Sequence, residues 1–305
     1  MKNIYNILIT WRLLKDNLSK YRSLFKKKNI NIDTIYGEQY LSEKILIKKI
    51  SKYDGMICGD DEITKKVLDK AKKLKVISKW GTGLDSIDLD YAKKKKIKVF
   101  NSPGAFTDNV SDHALALMFS LNRNIILNHN DILKGKWSKR LCENLTDKTI
   151  GIIGYGKIGQ MIKKKLSSFK VNFLVNDLKK LRLKKTTKDK IYKKSDILFL
   201  CVDLNDSSQD MLVKKHFKIM KKNLIIINIC RGQVIRGNDL YYALKNNLIA
   251  GAGLDVHYQE PIKKNNKFLK LKNCIFSSHN AFNSRNMISK INDNTVNNLL
   301  KGLGC

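Results

Sequence analysis

Apolar runs the length of a β-strand alternate with Lys-rich amphipathic stretches from one end of this chain to the other. Read as strands, the first series is Tyr5–Thr10, Asn31–Tyr36, Gly55–Cys58, Lys75–Ser78 and Ile97–Phe100. A second series is Thr149–Ile153, Val171–Asn176, Ile197–Val202, Leu224–Ile229, Ile249–Asp255 and Cys274–Ser278. Strands that are continuously apolar are covered on both faces, and strands separated by helix-length segments pair in parallel. The fold class expected is therefore α/β, with two doubly wound parallel sheets. Two domains also suit 305 residues. Between the two series, about Asn109 to Leu127, the residues Val110, Ala114, Leu117, Met118 and Leu121 recur at helical spacing.

Composition excludes several classes. No apolar run nears the roughly 18–20 residues of a membrane span. Trp11 and Arg12 arrive before a signal peptide could build its apolar region. The six cysteines (Cys58, Cys142, Cys201, Cys230, Cys274 and Cys305) include no CxxC pair, so reduced thiols in a cytoplasmic protein are expected. Neither Cys nor His residues cluster at ligand spacing, and no metal is expected. Sixty basic against 27 acidic residues give a net charge of +33, which raises a polyanion as a partner. The basic residues, however, are spread along the whole chain, only eight are Arg, and Lys keeps company with Asn and Ile. An AT-rich genome imposes that load on any protein, so neither nucleic acid nor membrane is expected as a partner. The positive field would still draw in a small anionic substrate.

Gly154-Tyr155-Gly156-Lys157-Ile158-Gly159 fits G-x-G-x-x-G, and its context strengthens it. A buried strand runs into the motif, and a helix with Ile158, Ile162, Leu166 and Phe169 on one face leaves it. The next strand ends at Asp177. Gly154 permits the tight turn, Gly156 lets backbone N–H groups approach a pyrophosphate, and Gly159 lets helix and strand pack closely. Asp177 can accept both ribose hydroxyls and would repel a 2′-phosphate, favouring NAD over NADP, although Lys179 and Lys180 soften that preference.

Ligands of open parallel sheets bind beyond the carboxyl ends of the strands. Arg231, Glu260 and His279 each follow such an end. Arg offers a planar fork matched to a carboxylate. His can exchange a proton with a hydroxyl or carbonyl as hydride moves, and a neighbouring Glu favours the imidazolium and orients the ring. Each has a plainer reading: Glu260 capping a turn before Pro261, Arg231 on a surface carboxylate, His279 satisfied in a core. All three falling at strand ends by accident is less expected than any one of them.

With these residues in view the sequence resembles the D-isomer-specific 2-hydroxyacid dehydrogenases, the family of phosphoglycerate, glycerate and formate dehydrogenases. The resemblance runs from about Lys75 to Leu303. It rests on Ser78-Lys79-Trp80-Gly81-Thr82-Gly83-Leu84-Asp85, Asn101-Ser102-Pro103-Gly104, Ser111-Asp112-His113-Ala114 and the loop Gly151 to Gly159. It continues through Asn228-Ile229-Cys230-Arg231-Gly232, Gly251 to Val256, Glu260-Pro261 and Ser278-His279-Asn280-Ala281.

The resemblance implies a Rossmann NAD-binding domain, residues 102–280, inserted into a flavodoxin-like substrate domain, residues 1–101 with 281–305. It implies Arg231, Glu260 and His279 as catalytic residues and Asp255 as the aspartate holding the nicotinamide carboxamide. Lys157, Ile158 and Ile229 join the glycines and Asp177 at the cofactor. The loop Lys79, Trp80, Gly81, Thr82 and Gly83 would receive the substrate carboxylate together with Arg231. The long helix would help form a homodimer.

That loop looks most like its phosphoglycerate dehydrogenase version, where an arginine stands at the position of Lys79. Lys79 would then meet a phosphate as a point charge or be an ordinary surface lysine. The expected activity is NAD-dependent hydride transfer on a D-2-hydroxyacid or its 2-oxoacid, 3-phosphoglycerate leading. The rival is a non-enzymatic NAD(H)-sensing or polyanion-binding regulator on the same fold. Departures from the family pattern are Asp203 in place of a proline, Asn205 and Ser208 where threonines are common, and His257 at a usually aromatic position. His113 is read as structural.

Overall fold

A computed structural model describes residues 4–37 and 39–305. The chain divides into two compact units, one reaching Ala105 and resuming with Asn283–Cys305, the other being Phe106–Phe282. These crossing points differ from the 101/102 and 280/281 read from sequence. The reason is that the Phe106 and Phe282 rings pack edge-to-face at 5.8 Å and Asn109 Nδ2 donates to the Phe282 carbonyl, tying both ends into the second unit.

The first unit holds β1 (Tyr5–Ile9), β2 (Ile30–Thr34), β3 (Gly55–Cys58), β4 (Val76–Lys79) and β5 (Lys98–Phe100) in the order β2-β1-β3-β4-β5, every pair parallel. Ile7, Ile9, Ile57 and Val76 pack on one face against Val296, Leu299, Leu300 and Leu303 of the helix Arg285–Leu303. On the opposite face Leu8, Met56, Cys58 and Ile77 meet Leu46, Val67 and Leu68. Two-sided burial is why these strands read as continuous apolar runs. Each fully buried Leu or Ile contributes roughly 1.5–3 kcal/mol. The C-terminal helix is thus part of the first unit's core.

The second unit holds β6 (Thr149–Ile153), β7 (Asn172–Asn176), β8 (Ile197–Leu200), β9 (Ile225–Asn228), β10 (Gly251–Leu254) and β11 (Cys274–Phe276). Their order is β11-β10-β9-β8-β6-β7, again wholly parallel. The order reverses at β6, which puts the switch-point crevice of a doubly wound sheet at its carboxyl end. Several strands stop one or two residues short of the apolar runs, at Leu200, Asn228 and Leu254. The long helical stretch is two helices, Thr107–Asn122 and Ile125–Ile132, because Asn124 adopts a left-handed conformation at φ 52°. The first of them buries Val110, Ala114, Leu117 and Met118 and packs across β9 and β10. Among the described residues no helix is long and apolar enough to cross a membrane, and no group of His, Cys, Asp and Glu is arranged to hold a metal ion.

Candidate active site

The dinucleotide loop leaves β6 at its carboxyl end. Gly154 sits at φ +91°, and a side chain there would run into the Cys201 carbonyl, so both its backbone conformation and its surroundings demand glycine. Gly156 differs, because nothing lies within 4 Å of where its Cβ would be. Its open backbone begins the helix Lys157–Leu166, whose first N–H groups and dipole suit an anion. Lys157 is exposed, Ile158 half-buried and Ile229 buried. Asp177 Oδ2 accepts from Tyr155 N at 2.6 Å and Oδ1 from Lys179 N at 2.8 Å. Both carboxylate oxygens are thereby aimed, and each keeps acceptor capacity for a hydroxyl. An open glycine surface for a pyrophosphate with a fixed carboxylate beside it fits a dinucleotide. Asp203 is exposed, and its carbonyl accepts from Ser208 Oγ at 2.6 Å, closing the turn after β8.

Beyond β9, β10 and β11 lie the three chemical residues. Glu260 Oε2 meets His279 Nδ1 at 2.8 Å, while Glu260 Oε1 accepts from the His257 amide at 2.8 Å. Both side chains are about four-fifths covered, with 21% and 18% exposure, so the pair is little screened. His279 itself has φ 51°, and its N–H donates to the Asp255 carbonyl at 2.7 Å. Arg231 follows β9, its Nη1 donating to the Cys230 carbonyl at 2.8 Å and its own carbonyl accepting from Asn228 Nδ2 at 2.9 Å. Gly232, the next residue, touches the His257 backbone so closely that any side chain would collide with it.

Asp255 is buried at the end of β10. Its Oδ1 accepts from Ser277 Oγ at 2.6 Å and Asn280 N at 2.9 Å, and its Oδ2 from Ala281 N at 3.1 Å. His113 Nε2 lies 2.8 Å from Ser277 Oγ and 3.3 Å from Asp255 Oδ1. Burial pushes the Asp255 pKa up, but the hydrogen bonds from His113, Ser277 and the two amides outweigh it and hold the carboxyl at about 2. A value depressed from roughly 3.9 stabilises the fold above pH 4 and loses that contribution as pH falls towards 2, about 2 kcal/mol in all. Urea unfolding of the wild type between pH 5 and 2 is thus expected to steepen relative to Asp255→Asn by that amount. Parallel pH profiles for the two proteins would contradict it.

The loop after β4 belongs to the first unit. Gly81 has φ +137°, its carbonyl accepts from Ser102 N at 2.8 Å, and Thr82 Oγ1 donates to the Ser102 carbonyl at 3.2 Å. Trp80 stacks on Trp11 at 5.0 Å and donates Nε1–H to Asn292 Oδ1 at 2.7 Å, so it packs in a wall. Lys79 corrects an expectation. Its side chain is 3% exposed, and its ammonium is held by the Gly59 carbonyl and, at 2.6 Å, the Asp60 carboxylate. It is not a surface lysine.

Sequence reasoning missed Ser277 and the use made of His113 and His257. His257, noted only as a departure, donates Nε2–H to the Ser277 carbonyl at 2.7 Å. The partners are far apart in the chain, and no local pattern marks them.

Residues 115–281 match the family model of the D-isomer specific 2-hydroxyacid dehydrogenase, NAD binding domain. The chain belongs to this family. A glyoxylate reductase of Korarchaeum cryptofilum is 30% identical over 96% of this chain and 91% of its own length. A D-3-phosphoglycerate dehydrogenase of Archaeoglobus fulgidus is 29% identical over 91% of this chain and 55% of its own. Among solved structures, the D-lactate dehydrogenase of Aquifex aeolicus complexed with NAD and lactic acid superposes with a TM-score of 0.87 at 25% identity, covering 98% of this chain and 95% of that one. The dehydrogenase uses NAD and acts on a CH–OH group.

Proposed function

We propose that this dehydrogenase interconverts a small, unphosphorylated 2-oxoacid and its D-2-hydroxyacid, with glyoxylate the leading oxoacid. The observation that carries the choice is the burial of Lys79 between Gly59 and Asp60, which removes the one cation that the sequence offered to a phosphate. The similarity to a protein named glyoxylate reductase supports it.

Bound NAD supplies the hydride acceptor, and NADH the donor. His279 carries the proton, giving it to the carbonyl oxygen in reduction and taking it from the hydroxyl in oxidation. Glu260, bonded to Nδ1, leaves Nε2 as the transferring nitrogen and favours the charged ring that reduction requires. Arg231 grips the carboxylate through its planar guanidinium.

The test follows NADH at 340 nm with glyoxylate, pyruvate, hydroxypyruvate and 3-phosphohydroxypyruvate. Glyoxylate is expected to turn over with at least tenfold higher kcat/KM than the phosphorylated acid. Preference for the phosphorylated acid would reinstate 3-phosphoglycerate as the substrate and overturn the reading of Lys79.

The working unit in this reading is a homodimer. The helix Ile125–Ile132 and the segment after it expose Ile125, Ile132, Leu133, Trp137 and Leu141, the last wholly so. Apolar side chains clustered at a surface mark a face that another molecule covers. Sedimentation is expected to give twice the chain mass, and Leu133→Asp with Trp137→Asp to give the chain mass alone. A wild-type monomer would exclude the dimer.

A further inference from the structure

Two chains of hydrogen bonds converge on His279, and both pass through Ser277. Through its hydroxyl, Ser277 donates to Asp255 Oδ1 at 2.6 Å. Asp255 in turn holds the next stretch of backbone by three contacts: its carbonyl takes the His279 amide, Oδ1 the Asn280 amide and Oδ2 the Ala281 amide. Those contacts maintain His279 in its left-handed conformation, which costs a residue with a side chain about 1 kcal/mol or more. Through its carbonyl, Ser277 receives His257 Nε2–H. The His257 amide holds Glu260 Oε1, and Glu260 Oε2 meets the His279 ring. One arm therefore sets the backbone of the acid/base residue, and the other sets its imidazole.

The junction is gripped from a distant element. His113, midway along the helix Thr107–Asn122, places Nε2 2.8 Å from Ser277 Oγ and 3.3 Å from Asp255 Oδ1. The serine hydroxyl has a single proton, and it goes to the carboxylate. Its contact with His113 is then one in which the histidine donates Nε2–H and the serine accepts. The same N–H leans on the carboxylate as a second, longer contact. A helix packed across β9 and β10 is a rigid support for such a donor.

We infer that His113 and Ser277 are positioning residues for the hydride-transfer reaction, holding Asp255 and thereby the backbone and ring of His279 in their working geometry. His113 does not exchange protons with substrate in this role. Its contribution is to fix a general acid whose misplacement by about 1 Å would cost up to ~10²-fold. This assignment rests on the reading of His279 as the acid/base residue and is independent of which acid is the substrate.

The test compares His113→Leu, His113→Gln and Ser277→Ala. Gln is the conservative variant, because its amide nitrogen lies as many bonds from Cβ as His Nε2 does. With the best acid of the panel, His113→Leu and Ser277→Ala are expected to lower kcat about tenfold or more while KM for the acid changes less than threefold. His113→Gln should recover most of the loss. The double variant His113→Leu/Ser277→Ala should be no slower than the worse single one, since both break one support.

A second readout needs neither cofactor nor substrate. Amide hydrogen exchange at Asn280 and Ala281 should accelerate in His113→Leu and not in His113→Gln, with β6 and β8 unchanged. A His113→Leu enzyme within twofold of wild type in kcat, a Gln variant as impaired as Leu, or unchanged exchange at Asn280 and Ala281 would each overturn the assignment. Should His113→Leu fold poorly, Ser277→Ala and His113→Gln carry the same comparison.

Discussion

His279→Asn is expected to lower kcat by ~10³-fold, within the 10²–10⁴ that a positioned proton donor contributes. Asparagine is the informative replacement because the position has φ 51°, a conformation it tolerates better than alanine does. The backbone N–H of residue 279 still reaches the Asp255 carbonyl, so the loop is kept while the titrating ring is lost. Glu260→Gln retains a group able to accept from Nδ1 but removes the charge, and a smaller loss, about 10–10²-fold, is expected. The double variant should lie close to His279→Asn alone, because Glu260 acts on the reaction through the ring. NADH binding, read by fluorescence, should stay within a few-fold of wild type throughout. His279→Asn turning over at the wild-type rate would remove histidine from the mechanism and leave the proton to another group.

How much of this was legible beforehand depends on whether the signal was local. The strand runs were, because two-sided burial writes an unbroken apolar string such as Leu224 to Ile227. The Gly154 turn and Asp177 were equally plain, since the G-x-G-x-x-G spacing, the strand before it and the strand that ends at Asp177 follow one another closely in the sequence. Arg231, Glu260 and His279 could be placed at strand ends, but their pairing could not. The 2.8 Å contact between Glu260 and His279 depends on a loop held by the His257 amide. His113 and Ser277 stand 164 positions apart and meet only because a helix crosses the sheet. The interruption at Asn124 was invisible for a different reason. Apolar residues continue at helical spacing on both sides, and a single left-handed residue leaves no trace in that rhythm. Lys79 misled because a sequence shows charge and not burial. Its ammonium is matched to Asp60, nineteen positions away, on a neighbouring strand's loop.

Arg231→Lys is the other change with a large expected effect, about 10²-fold in kcat/KM, against less than twofold for Arg182→Lys on the exposed surface. Both replacements keep a positive charge, so the comparison isolates the shape of the donor. Arg231 Nη1 donates to the Cys230 carbonyl at 2.8 Å. That bond fixes the plane of the guanidinium, and a planar fork held in one orientation can present two parallel N–H groups to a carboxylate. A lysine has one ammonium on a flexible stem. It can meet the carboxylate or the carbonyl, but it cannot hold one while offering a paired contact to the other. Losing one hydrogen bond to a charged partner costs about 1.5–3 kcal/mol, roughly 10–10²-fold, and losing orientation of the acid adds to it. The loss should fall on both KM for the acid and kcat, because the carboxylate anchors the carbon that receives hydride. An Arg231→Lys enzyme as fast as Arg182→Lys would show that charge alone suffices, and the carboxylate would then have to be held by other groups.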